Sequence, residues 1–586
     1  MALGRTGLDT MTGMGAADAA LARMEAGEQV EAEVTDRAQA TDLVRRAIKQ
    51  WRRGEVARTA KLALRATEAD PTYGAGFHML ALALEKMGHL HKALVTYEQA
   101  FALDPEDSDL LLNLGLTAWG LKMYTAAADM FAQYIARCPD SALGYNNLGS
   151  VLCDLGDVPR AIEVLRAAIL RMPQQAALWN SLATVLSEQG RAEEALVFYK
   201  EAIALDPGNS RPWHNLAFAL SHLGELEDSL GAYDEALARG VDEIELLEGR
   251  HSRSICLIGM GRIEEGFREY EARNEPRFRD YVRYMVDAPQ WQGEALEGKR
   301  LLVIGEQGLG DEIMFASVLP DLSRALGRTG QLQIAVDSRL VALVQRSFPK
   351  AIVGAYEDRM YVGGDEHREF RFIPFATEDQ RPNFYAPMAS TVPFLRKRIE
   401  DFPKLAFLLP EPARVAQLRA RLLALGSGPF IGICWRSMMQ DTKRKKYFSA
   451  LAQWEPILRT QGVQFVNLQY GDCDAELAEV CSGYGIPIHR IEGLDLKNDI
   501  DGAAALSAAL DLVISAPTAA AAIAASVGTE TWILTAGRTW PQLGSSCYPW
   551  YRAAPVLHPQ NFGDWDQLLP DVAAALSGFA ARLRAA

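Results

Sequence analysis

The chain has 586 residues, too many for one ordinary core, so three or four folded units are expected. Apolar residues make up 49% and charged residues 23%, an ordinary globular balance, and the net charge of −15 repels a phosphate backbone, so nucleic acid is excluded as the main partner. The sequence shows no apolar run long enough to span a membrane and no secretory signal. Its seven cysteines are scattered without a C-x-x-C pair, which points to reduced thiols, no zinc site and a cytoplasmic location.

Residues 1–37 carry no repeat and read as a flexible or partly helical tail. A period follows. Pro71, Pro105, Pro139, Pro173 and Pro207 are each 34 residues apart, the length of a tetratricopeptide repeat (TPR). In units starting at 40, 74, 108, 142, 176 and 210, the fifteenth position is Gly54, Gly88, Lys122, Gly156, Gly190 and Gly224. Glycine there lets the chain turn between paired helices without a Cβ clash. The seventh position is Leu80, Leu114, Leu148, Leu182 and Leu216, and the fourth is Phe77, Leu111, Tyr145, Trp179 and Trp213; both columns read as core. A seventh unit at about 247–280 is shifted by three residues, with the insertion near Arg239 to Asp242. The repeats therefore span 38–280 as an all-α superhelix, with 281–297 as a linker.

One repeat column carries chemistry. The sixth position reads Asn113, Asn147, Ser181 and Asn215. An amide row can bind the backbone of an extended acceptor peptide without reading its side chains. This part resembles the superhelix of O-GlcNAc transferase, where such a ladder holds the acceptor protein. The alternative is that these asparagines only cap local turns.

From about 298 the pattern becomes short apolar runs alternating with helical stretches. The runs are 301–304, 333–336, 351–353, 430–435, 464–468, 512–514 and 532–534, with helices at 412–425 and 502–510 among those between. That alternation implies parallel sheets. An interruption near 401–412 divides a first lobe (298–408) from a second (409–586). In such sheets ligands sit at the carboxyl ends of the strands. Asp499-Ile-Asp501 has the spacing of an Asp-x-Asp metal motif, but it opens a helix and reads as a cap; no metal is expected.

The segments Gly-Glu-Gln-Gly-Leu-Gly-Asp-Glu-Ile-Met (305–314) and 316–322 resemble the N-terminal fingerprint of the heptosyltransferase-like family, glycosyltransferase family 9. Segments 432–437, 467–472 and 508–520 resemble its nucleotide-binding elements. Joined to the repeats, the chain resembles the TPR-containing flagellin O-glycosyltransferases of alphaproteobacteria. That resemblance implies an α/β GT-B fold of two Rossmann-like lobes. The activity implied is inverting, metal-independent transfer of a pseudaminic- or legionaminic-type nonulosonic sugar from its CMP ester to Ser or Thr of flagellin. No cofactor beyond the nucleotide sugar is implied. One departure is clear: where many relatives carry a histidine, this chain has Ala522.

The resemblance places the base at Asp311, in a turn where Gly308 and Gly310 let substrate approach; Glu312 or Glu306 could substitute, and Asp311 could instead cap the next helix. Arg436, at a strand end, suits phosphate, with Lys443 or Lys446 from a basic turn that otherwise reads as solvated surface. Ser515, Thr518 and Ala519 open a helix whose free amides suit a phosphate or a sugar carboxylate, unless Thr518 caps it. Gln469 and Tyr470 could contact base or ribose, and the aromatic segments 539–544 and 548–551 could close the cleft or pack the C-terminal helix. Two competing readings remain. One is an adaptor or secretion chaperone with an inactive transferase half, motivated by Ala522; the other is a transferase using a UDP- or ADP-sugar.

Overall fold

The computed structural model describes residues 36–585 apart from 241, 362–367, 377, 403 and 439–443. The tail reading for 1–37 lies, up to residue 35, outside the described residues, as does the donor candidate Lys443. The chain forms two compact units. The first holds the described residues up to 187 with 197–207 and 360–369; the second holds 188–196, 208–359 and 370 onward.

The repeats are helix pairs: α1 (Arg37–Trp51) and α2 (Val56–Ala69), α3 (Gly74–Lys86) and α4 (Leu90–Leu103), α5 (Ser108–Gly120) and α6 (Tyr124–Arg137), α7 (Ala142–Leu155) and α8 (Val158–Arg171). They continue as α9 (Ala176–Glu188) and α10 (Ala192–Leu205), α11 (Ser210–Leu223) and α12 (Leu226–Arg239), α13 (Glu243–Gly259) and α14 (Ile263–Tyr270). From α2 to α10 each second helix stops two residues before its proline, because the residue preceding a proline is pushed out of the α region. The seventh-position leucines are all buried. At the fourth position Phe77 and Leu111 are buried, but Tyr145, Trp179 and Trp213 are only half-buried.

The turn column is explained by backbone angle. Its residues all have positive φ, from +75° at Gly54 to +89° at Gly156, and Lys122 adopts +62°. A Cβ on Gly54, Gly88, Gly156, Gly190 or Gly224 would meet nothing within 4 Å. Crowding, the expected reason, is therefore not what selects glycine here. The left-handed conformation is, since it costs an L-residue about 1–2 kcal/mol.

Beyond the repeats the segment expected as a linker, 281–297, is built into the fold. It supplies β1 (Val282–Met285) and the buried Trp291, whose backbone N–H donates to Tyr385 O at 2.8 Å. The first lobe's parallel sheet contains β2 (Arg300–Ile304), β3 (Gln331–Val336), β4 (Ile352–Ala355) and β7 (Phe384–Pro387), in the order β4-β3-β2-β7. β5 (Glu357–Tyr361) and β6 (Arg368–Phe372) join β1 in a small separate sheet. The helices of this lobe are α15 (Leu309–Phe315), α16 (Leu319–Ala325), α17 (Val341–Ser347) and α18 (Val392–Leu395).

The second sheet has the order β10-β9-β8-β11-β12-β13 and every pair in it is parallel. Its strands are β8 (Phe430–Cys434), β9 (Gln464–Asn467), β10 (Ile488–His489), β11 (Leu512–Ser515), β12 (Thr531–Leu534) and β13 (Val556–Leu557). Its helices are α19 (Pro412–Leu425), α20 (Glu455–Leu458), α21 (Asp474–Tyr484), α22 (Ile500–Ala509), α23 (Ala519–Ser526) and α24 (Trp565–Ala585). β8 and β11 are buried along their whole length, which is why they read as unbroken apolar runs. In chain order the strands run 3-2-1-4-5-6, the doubly wound order, so the direction of winding reverses between β8 and β11.

Candidate functional site

In a sheet of this order a ligand is received beyond the carboxyl ends of β8 and β11, where the winding reverses. The turn after β11 ends in Thr518, the N-cap of α23, and the Thr518 side chain does not cap that helix. Its hydroxyl instead lies 3.5 Å from both Cys434 Sγ and Ser515 Oγ. The alternative of ordinary capping by Thr518 is thus not realised, and its side chain leaves the opening amides of α23 unsatisfied. Ser515 is fully buried and donates to Ala516 O at 2.7 Å, so its hydroxyl is already used. Ala522 is buried in α23, and its N–H donates to Thr518 O.

The first lobe meets this turn. A Cβ on Gly310 would lie 3.4 Å from Ala519 N and 3.7 Å from Thr518 C, so the β2–α15 turn and the start of α23 are in contact. Gly308 is the N-cap of α15, and its backbone amide lies near enough to the Asp311 carboxylate to favour the charged form. Asp311 thus lies in the first turn of α15, directly after the Gly310 contact with α23. Burial pushes its carboxyl above the usual range against the pull of the Gly308 amide, and the Glu306 charge pushes it further. The phenols of Tyr270, Tyr548 and Tyr551 lie within electrostatic reach of Asp311, and all three are buried.

Both neighbouring glutamates are engaged inside the protein. Glu312 is 1% exposed, and its carboxylate accepts from Asp337 N–H at 2.8 Å and Tyr356 O–H at 3.0 Å. Burial pushes it up to about 7, but it faces away from the crevice into the first lobe. Glu306 is 3% exposed and is held by Arg273 and by Ala389 N–H.

Two donor candidates are engaged inside the protein. Arg436 presents its guanidinium to Glu476, and the pair holds the Arg436 charge above its usual stability. Gln469 is buried; its side-chain oxygen accepts from Trp435 N–H at 3.2 Å and Arg436 N–H at 3.1 Å, and its amide donates to Arg436 O at 2.9 Å. Gln469 thus shapes the exit of β8, with no side-chain group left for a base or ribose. Tyr470 is half-buried beside Ser437 and burial pushes its phenol up to about 12. Lys446 sits with its ammonium 5.4 Å from the Tyr447 ring, and Tyr447 O–H is 2.7 Å from His222 Nε2 of α11.

The aromatic segments pack. Trp550 is fully buried among Phe267, Phe315, Phe402 and Trp540, joining the last repeat to both lobes. Trp540 stacks on Phe315 with ring centroids 6.2 Å apart. Asp499 caps α22, accepting from Gly502 N–H at 2.9 Å, and pairs with Arg414, while Asp501 pairs with Arg346. The two carboxylates of the Asp-x-Asp spacing are thus turned to different arginines. Among the described residues no cluster of three or more His, Cys, Asp or Glu is arranged to hold a metal, and no helix is long and apolar enough to cross a membrane.

Of the ladder residues, Asn113 and Asn147 lie in the first unit and Asn215 in the second, all half-buried. Asn113 Nδ2 is 3.0 Å from His78 Nε2, whereas Asn147 Nδ2 is buried without a hydrogen-bond partner among the described residues. Sequence reasoning gave no role to Arg273 or Tyr270 beside the turn, and took Tyr548 and Tyr551 only as part of the aromatic segment 548–551. Only the aromatic density of 548–551 signalled anything there.

Residues 78–142, 140–208 and 186–248 match the tetratricopeptide repeat family. Among solved structures, a thermophilic TPR protein of Thermus thermophilus is similar at 24% identity and a TM-score of 0.28, over 30% of this chain and 98% of that one. A tetratricopeptide repeat protein of Parabacteroides merdae is similar at 15% identity and a TM-score of 0.33, over 41% of this chain and 92% of that one. Along 537 residues the chain is 40% identical to Protein FlbA of Caulobacter vibrioides, covering 92% of this chain and 89% of that protein. With that identity along nearly its full length, and with the repeats matched independently, the chain belongs to the FlbA family of tetratricopeptide repeat proteins.

Proposed function

We propose that this chain is a protein O-glycosyltransferase that moves a nonulosonic sugar from its CMP ester to Ser or Thr hydroxyls of flagellin. The observation that carries the reading is the contact of the Asp311 turn, at Gly310, with the uncapped start of α23 beside the β8/β11 crevice. Two doubly wound parallel sheets meeting through their carboxyl-end turns are what a GT-B transferase requires. The segments that resemble the heptosyltransferase-like family fall on those same turns.

In this reading Asp311 takes the proton of the acceptor hydroxyl as its oxygen attacks the anomeric carbon. The bond from that carbon to the phosphate oxygen breaks, and CMP leaves with the electron pair. The raised Asp311 carboxyl suits a base, since it holds a proton better than an ordinary aspartate does. The α23 amides stabilise the departing phosphate or the sugar carboxylate, and no metal takes part. The repeats capture flagellin through Asn113, Asn147 and Asn215, and the reaction runs in the cytoplasm before filament assembly.

The test is intact-mass measurement of flagellin after incubation with the full chain and the CMP-sugar. A mass increase of whole sugar units is expected. No increase with CMP-, UDP- and ADP-sugars alike overturns the reading, and transfer from a UDP- or ADP-sugar alone corrects the donor. A second reading, an adaptor that binds flagellin without a donor, is favoured by one observation: Arg436 and Gln469 already spend their polar groups inside the protein. Calorimetry with CMP separates the two, since the adaptor gives no binding heat.

A further inference from the structure

The 3₁₀ turn after α14, Glu271–Asn274, carries Arg273, which is 4% exposed. Its Nε and Nη2 donate to the two Glu306 oxygens at 2.8 and 2.9 Å. The other donors are also used: Nη1 to Tyr270 O and to Glu271, both at 2.9 Å, and Nη2 to Ser390 Oγ at 3.0 Å. The guanidinium lies over the Tyr270 ring, 4.2 Å from its centroid. Glu306 accepts in addition from Ala389 N–H at 2.6 Å. Taking two charges out of water is expensive, and geometry this complete is what keeps such a pair tolerable. The pair therefore ties the turn after β2, at Glu306, to the turn after β7, at Ala389 and Ser390.

The residue after Glu306 is strained. Gln307 is exposed and has φ of +63°, a left-handed conformation that a non-glycine residue keeps only when its surroundings impose it. Gly308 then caps α15, Gly310 touches α23, and Asp311 follows. The turn is gripped at one end by Glu306 and forced through an unfavourable residue at the next.

We propose that Arg273, supplied by the last repeat, is a positioning residue for the 306–311 turn: its grip on Glu306 sets the course that brings Asp311 to the β8/β11 crevice. The repeat array is then a component of the site as well as the holder of the acceptor. The catalytic part of this inference rests on the transferase reading; the hold on the turn does not.

The test uses the full chain with Arg273→Met and Glu306→Met combined, so that neither charge is left buried alone. Hydrogen–deuterium exchange is read on the peptide spanning 305–312, where Gly305 N–H donates to Ala335 O and Glu312 N–H to Gly308 O. Exchange there rises tenfold or more while the repeats exchange as before, kcat for transfer falls at least tenfold, and KM for the donor stays within twofold. Arg273→Lys keeps the charge without the fork and recovers part of kcat; if the double variant does not fold, this variant's exchange and kcat decide. Unchanged 305–312 exchange in a folded variant overturns the proposal, as does exchange raised evenly along the chain. Should the wild-type chain transfer no sugar, the transferase reading fails and the exchange result still decides whether Arg273 holds the turn.

Discussion

Arg436 and Glu476 face each other at the end of β8, with Nε 2.9 and 3.0 Å from the two carboxylate oxygens. Trp435 Nε1 donates to the same carboxylate at 3.2 Å. On the transferase reading, Glu476 thus competes with a donor phosphate for the Arg436 fork. A charge-assisted hydrogen bond is worth about 1.5–3 kcal/mol, so competition for the fork is measurable. Glu476→Gln is expected to tighten CMP binding about tenfold, and Arg436→Met to weaken it by about as much. Calorimetry checks both; no change in either confines Arg436 to a structural role.

On the transferase reading, Asp311→Asn keeps the shape of the side chain and removes the proposed base. A positioned general base contributes about 10²–10⁴-fold, so turnover is expected to fall by that factor with CMP affinity unchanged. Single-turnover transfer to flagellin measures it. Wild-type turnover in the variant would move the role away from Asp311.

Glu312 makes stability pH-dependent. Its folded carboxyl is pushed up to about 7 from the ordinary 4.5, so between those values the folded state holds a proton that the unfolded chain has lost. Stability from this group is therefore fully present below pH 4.5 and is lost as pH rises to 7, by up to about 3 kcal/mol. Glu312→Gln keeps an acceptor for Asp337 N–H and does not titrate. Its urea midpoint should gain on the wild type between pH 5 and 7.5; a constant gap refutes the assignment.

Lys122 takes a left-handed turn that the other repeats give to glycine. Lys122→Gly removes that cost, at some expense in the freedom of the unfolded chain, for a net gain of about 0.5–1 kcal/mol. Chemical denaturation reads the change directly.

Asn147 carries a buried Nδ2 with no hydrogen-bond partner among the described residues, and such a group costs about 1–3 kcal/mol. Asn147→Leu should leave the thermal midpoint unchanged or raised while weakening flagellin capture several-fold. A variant that binds flagellin as well as the wild type would remove Asn147 from the acceptor surface.

The period of 34 was enough to give the repeats, their turns and their buried leucine column, because those depend on backbone angles and on contacts between near neighbours in sequence. The parallel strands were legible for a similar reason: a strand buried on both faces is an apolar run wherever it occurs. Other strands were not: β10 and β13 have only two residues each, β5 and β6 are rich in charge, and β7 ends in a proline that reads as a turn. Within the site, the sequence could nominate Asp311, Arg436 and Thr518 by their place after strands. Which partners their side chains meet was decided only by the closing of the fold. Glu306 meets Arg273 from 33 residues before it, Arg436 meets Glu476 from 40 residues after it, and Tyr447 meets His222 across 225 residues. A carboxylate in a turn reads the same in sequence whether it faces solvent, substrate or a buried arginine, because burial and partner are properties of the assembled lobes and repeats. That is why Glu306, Glu312 and Gln469 looked available and were not, and why Arg273, part of no motif, stands against the turn that carries Asp311.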